Sequence, residues 1–191
     1  MREPLIRRGV RLELATLGWN VVGVGVLAVA ALRAGSAAAA GFGLDSLVEI
    51  GASTVVIWEL TGTPGARERR ALQLIGIAFL AVAVYITVLA AWSLLGDHRP
   101  GATTLGIVWT ALTCIVMLAL ARAKAITGHA LGNPVLEAES RVTVVDAALA
   151  AAVFLGLGLN AGFGWWWADP LAGLVLVAYA VREARGTLGR S

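Results

Sequence analysis

The chain has 191 residues, 59% of them apolar, and a formal net charge of +3. Its apolar share exceeds the roughly 45–50% usual for soluble domains and lies in long stretches, which reads as an all-α polytopic membrane protein. There is room for about six spans of ~20 residues and none for a sizeable soluble domain besides. The basic residues flank apolar stretches and line no groove, which excludes nucleic-acid binding. The single Cys114 excludes an intrachain disulfide and sits in apolar sequence as a small packing residue.

Arg2, Arg7, Arg8 and Arg11 mark a basic N-terminal segment, residues 1–13, ahead of a first span at Leu14–Leu32. That span is longer than the ~7–15 apolar residues of a secretory signal, and another span follows at once, so it reads as a retained helix. Asn20 within it reads as a packing residue. The later spans are predicted at Ala37–Leu60, Ala71–Leu95, Thr104–Ala121, Val142–Gly162 and Pro170–Val181. Together they make a six-helix transmembrane domain over residues 14–187. Turn-forming residues separate them at Ala34–Ser36, Gly62–Gly65, Gly96–Gly101 and Asn160–Gly164. The longest connection is predicted at Arg122–Glu139, where Gly128, Gly132, Asn133 and Pro134 interrupt any helix. There is no internal repeat.

With six spans, every basic residue except Arg33 and Arg99 falls on the side of the termini. Lys and Arg favour the cytoplasmic side of short loops, so both termini are expected in the cytoplasm. Trp165, Trp166 and Trp167 fit an aromatic belt on the opposite face. The preference for Arg and Ala over Lys points to a high-GC bacterial genome and hence to an inner (plasma) membrane.

Two carboxylates, Asp45 and Glu49, lie near the middle of the second span, four residues apart and so on one helical face. An ionisable residue at membrane depth costs about 2.5–3.5 kcal/mol on insertion scales, so a pair of them needs a reason, and a cation supplies one. In the fifth span Asp146 shares a face with Glu139, Val142 and Thr143. At 1.5 Å per residue, Glu49 lies ~18 Å, Asp45 ~12 Å and Asp146 ~21 Å from the outer ends of their helices. The three carboxylates therefore converge if the second and fifth helices are neighbours. A purely structural reading keeps them protonated and hydrogen-bonded within the bundle. Glu13, Glu59 and Glu139 read as interfacial acids near span ends, and Asp169 as the N-cap before Pro170. His98 and His129 are predicted in loops on opposite faces. No nucleophile–base pair appears, which argues against an enzyme.

The run Asp45-Ser46-Leu47-Val48-Glu49-Ile50-Gly51-Ala52-Ser53 resembles the second-helix metal-site motif of the cation diffusion facilitator family. The run Trp165–Leu174 is similar to that family's connection between the fifth and sixth helices. The resemblance extends from about Leu14 to Val181 and implies that Asp45, Glu49 and Asp146 are metal ligands. It also implies export of divalent cations coupled to protons. Two departures accompany it. Val142 stands where the family often has a ligating His or Asp, and no cytoplasmic C-terminal metal-binding domain follows the sixth span.

The expected protein is thus a secondary transporter for divalent cations of the Mn, Zn or Fe class. Its partners are the metal ion, protons and the lipid bilayer, it needs no resident cofactor, and homodimerisation is left open. An all-oxygen ligand set favours hard cations such as manganese, because zinc sites usually contain His or Cys. The alternative is a non-transporting interaction or regulatory subunit on the same scaffold.

Overall fold

The computed structural model describes residues 2–34, 37–63, 67–95, 104–165 and 168–189. Among them the regular structure is entirely helical: α1 (Arg2–Ala34), α2 (Ala37–Leu60), α3 (Glu68–Leu95), α4 (Thr104–Leu131), α5 (Pro134–Phe163) and α6 (Ala168–Leu188). Among the described residues four stretches are long and apolar enough to cross a membrane, Arg2–Ala30, Glu68–Trp92, Thr104–Leu131 and Pro134–Phe163.

The most extensive packing joins α4 to α5, α3 to α6 and α1 to α2. In addition α1 packs on α4, and α5 touches α2, α3 and α6. The result is a four-helix group of α1, α2, α4 and α5, with α3 and α6 paired against its α2–α5 side. The adjacency of α2 and α5, which convergence of their carboxylates requires, is present.

The distribution of side chains is inverted relative to a water-soluble bundle. Val21, Val22, Ile77, Val84, Val88, Ile115, Leu118 and Leu155 point outward, while Glu13, Asp45, Glu49, Lys124, Glu139 and Asp146 are buried. An apolar exterior is the expected surface for a bundle surrounded by hydrocarbon. Leu27, Phe42, Val56, Ile75, Phe79, Leu136, Val142 and Leu149 fill the apolar part of the interior.

Several boundaries differ from expectation. The long connection at Arg122–Glu139 does not exist: α4 continues to Leu131 and α5 begins at Pro134. Gly132 takes a left-handed conformation (φ 60°) that ends α4. The Asn133 side chain accepts a hydrogen bond from Leu136 N at 2.8 Å, capping α5 with Pro134 in its first turn. Gly128 does not break α4. It admits the start of α5, since a Cβ there would lie 3.0–3.1 Å from Glu137 atoms.

His129 therefore occupies the last turn of α4, exposed, 3.8 Å from Glu137, and is not in a loop. His98 lies outside the described residues. Asn160–Gly162, expected as a break, are the last turns of α5, and the chain turns at Gly164 (φ 71°). Trp165 is exposed and packs on Phe163 at 5.8 Å, while Trp166 and Trp167 lie outside the described residues. α6 begins at Ala168, one residue ahead of Asp169, and the Asp169 side chain lies outside the described residues.

Candidate functional site

Helical spacing sets Asp45, Glu49 and Ser53 in one row along α2, one turn apart. All three are buried, Asp45 and Glu49 at 2% exposure. On α5 the spacing of three and four residues brings Glu139, Thr143 and Asp146 onto a facing row, also buried. The two helices run in opposite directions, so the rows pair in reverse order.

Asp146 meets Asp45, their carboxyls within hydrogen-bonding reach of each other. One turn along, Thr143 Oγ1 donates to Glu49 Oε1 at 2.6 Å. The depth arithmetic from the helix ends set Asp146 level with Glu49. The observed register instead pairs it with Asp45, so the outer ends of α2 and α5 are not level: outward of the paired acids α5 runs on to Phe163 and α2 only to Ala37, about nine residues less.

Two carboxyls can hydrogen bond only if one of them carries a proton, since an ionised carboxylate is an acceptor only. Among the described residues, Asp146 Oδ1 and Oδ2, Asp45 Oδ2 and Glu49 Oε2 have no protein donor. Among the described residues no three His, Cys, Asp or Glu side chains are gathered tightly enough to ligate one ion as they stand. Asp45 and Asp146 face each other, and Glu49 is turned toward Thr143.

Beyond Glu49 the row continues into an ion-pair network that sequence reasoning missed. Lys124 on α4 is fully buried, with its ammonium 2.6 Å from Glu139 Oε1 and 3.0 Å from Glu13 Oε2. Its Nζ also donates to Thr143 Oγ1 at 3.1 Å. An ammonium has three N–H bonds and here has three oxygen neighbours. Thr143 has a single hydroxyl proton, which goes to Glu49, the shortest contact. Thr143 therefore relays between Lys124 and the α2 row.

Glu13 and Glu139, expected at the membrane interface, are instead completely buried partners of this lysine. Lys124, expected in a cytoplasmic loop, is inside the bundle because α4 runs ten residues past its predicted end at Ala121. A signal for it was present in the sequence. Lys124 is the chain's only lysine, and it falls in phase with the buried stripe Gly106, Thr110, Thr113, Met117 and Ala121.

Glu59, also expected at the interface, is buried at the end of α2 and accepts a hydrogen bond from Asn133 Nδ2 at 2.9 Å. Val142, the position suggested for a fourth ligand, belongs to the apolar core. Asn20 is buried, and its side-chain amide donates to Thr16 O at 3.0 Å within α1.

The connected cluster thus holds five carboxyls (Glu13, Asp45, Glu49, Glu139 and Asp146) and one ammonium. Buried charge of one sign is tolerated only when neutralised by protons or by cations.

No family model matches the chain. It is similar to a protein of Shewanella oneidensis named cation-efflux pump FieF, being 36% identical over 81 residues, which cover 42% of this chain and 27% of that protein. The match thus spans little more than a quarter of the relative's length. Taken with its apolar helices, the similarity marks the chain as an integral membrane protein related in part to a cation-efflux pump.

Proposed function

We propose that the chain is a six-span secondary transporter that exports divalent metal cations in exchange for protons, with Asp45, Glu49 and Asp146 as the intramembrane ligands. The observation that carries this reading is the excess of carboxyls over buried cations between α2 and α5. The partial similarity to a cation-efflux pump and the resemblance of the second-helix run to cation diffusion facilitators support it.

In this mechanism Asp45 and Asp146 share a proton when no metal is bound. An arriving cation displaces that proton and recruits Glu49 away from Thr143, so metal and proton occupy the site in alternation. The side-chain donors are all oxygen, which suits manganese better than zinc. In this reading α2 and α6 complete the six spans; the bias of basic residues toward the side of the termini supports cytoplasmic termini, and the preference for Arg and Ala over Lys supports a bacterial inner membrane.

The test is uptake of Mn²⁺ and Zn²⁺ by proteoliposomes, with and without a pH gradient. The parent protein should carry metal in a gradient-dependent way, and Asp45→Asn, Glu49→Gln and Asp146→Asn should each abolish flux without loss of inserted protein. Flux no greater than in empty liposomes would refute transport. It would leave the interaction or regulatory subunit, which the apolar Val142 in place of a ligand favours.

A further inference from the structure

Resting on the transport reading, we infer that Lys124 is the positioning residue at the inner end of the carboxylate row, where its ammonium ties α1, α4 and α5 together and closes the row toward the α4–α5 turn. Glu13 brings in α1, Glu139 and Thr143 bring in α5, and Thr143 hands the tether on to Glu49 of α2. Three helices thus meet at one side chain, and the fourth, α2, joins through Thr143. These are the four helices packed around the buried acids.

The place of the lysine decides its role. Along α2 the order is Asp45, Glu49, Ser53 and then Glu59, with Asn133 of the α4–α5 turn closing on Glu59. A cation or water moving between Glu49 and that turn has to pass the level of the Lys124 network. While both ion pairs stand, the space beside Glu49 is filled by Thr143, Glu139 and the ammonium, all at 0% exposure.

The ammonium is also a tethered positive charge next to a row of carboxylates. It repels a metal ion on the inner side of Glu49, and among the described residues no cation is paired with Asp45 or Asp146. Opening the row toward the turn therefore requires Lys124 to give up Glu13 or Glu139. A merely structural ion pair would carry no such directionality.

Ser53 provides a reporter. It is fully buried one turn from Glu49 on the same face of α2, and its Oγ has no hydrogen-bond partner among the described residues. In a Cys114→Ala background, Ser53→Cys is introduced and its reaction with a membrane-impermeant maleimide is timed in right-side-out and inside-out vesicles.

With Lys124 present the thiol should react slowly from both sides. Lys124→Gln should raise the rate at least about ten-fold from the α4–α5-turn side only, because a broken buried pair frees local opening. Lys124→Arg should keep the slow rate. If Lys124→Gln fails to insert, the charge-free Glu13→Gln/Lys124→Gln/Glu139→Gln protein should show the same one-sided rise.

An unchanged rate, or an equal rise from both sides, would overturn the inference. The reagent reports access and not flux, so a chain that carries no metal could still show the one-sided gate. Conversely, a transporter abolished by Asp45→Asn but indifferent at Ser53 would sink only this inference.

Discussion

Replacing Lys124 by Met is the sharpest test of the buried network. The change removes a charge from the interior and costs nothing in membrane insertion, since methionine is the more apolar residue. In the folded bundle it leaves Glu13 and Glu139 facing the same space with no counter-ion, both at 0% exposure. Breaking a buried pair from one side costs about 3–5 kcal/mol, whereas replacing all partners by neutral groups of similar size is often neutral or better.

The single variant should therefore lose about 3–5 kcal/mol, or roughly 6–20 °C of Tm for a chain of this size. The neutral triple Glu13→Gln/Lys124→Met/Glu139→Gln should recover most of that loss. Thermal unfolding in one detergent, followed by circular dichroism for parent, single and triple proteins, measures both. A loss below about 1 kcal/mol in the single variant would refute the reasoning, because the lysine would then not be the counter-ion of two desolvated carboxylates. So would a triple variant as damaged as the single.

Three further outcomes are expected. Asn133→Ala removes both the cap on Leu136 N and the donor to Glu59, and should lower stability by about 1–3 kcal/mol in the same assay. Val142→His, measured as the ratio of zinc to manganese flux in one proteoliposome preparation, should leave that ratio unchanged, because Val142 packs in the apolar core. Imidazole favours zinc, so a raised ratio would show that α5 rotates Val142 into the site during transport. Reporter fusions after Arg70 and Arg190 should read cytoplasmic and a fusion at Gly164 external; the reverse at either terminus would refute the orientation inferred from the basic residues.

The similarity to a cation-efflux pump covers less than half of this chain, so the physical argument for transport rests on its own side chains. A purely structural network would pair its charges one to one. Here Asp45 Oδ2, both Asp146 oxygens and Glu49 Oε2, along with Glu13 Oε1 and Glu139 Oε2 of the lysine network, have no hydrogen-bond donor among the described residues. Unfilled acceptors of this kind are what an exchangeable proton or metal ion would satisfy.

The sequence alone determined that the chain is helical and rich in membrane-length apolar stretches, and that Asp45 and Glu49 share one helical face. These follow from apolar stretch length and from the four-residue spacing on one helix, which are local properties. Even the buried stripe of α4 was legible in its period, once Lys124 is allowed to belong to it.

Only the tertiary structure decided which carboxyl faces which. The lengthwise offset between two antiparallel helices is set by how they pack and not by the length of either; the capping at Asn133 and the close approach at Gly128 fix only where α5 leaves α4. It likewise decided that Glu13 and Glu139 are interior. Read singly, each is an acid near the end of an apolar stretch, where the surface is the cheapest place for it. What reverses the preference is a lysine from a third helix that supplies the opposite charge at 2.6 and 3.0 Å, and no local pattern in the sequence records that the three side chains meet.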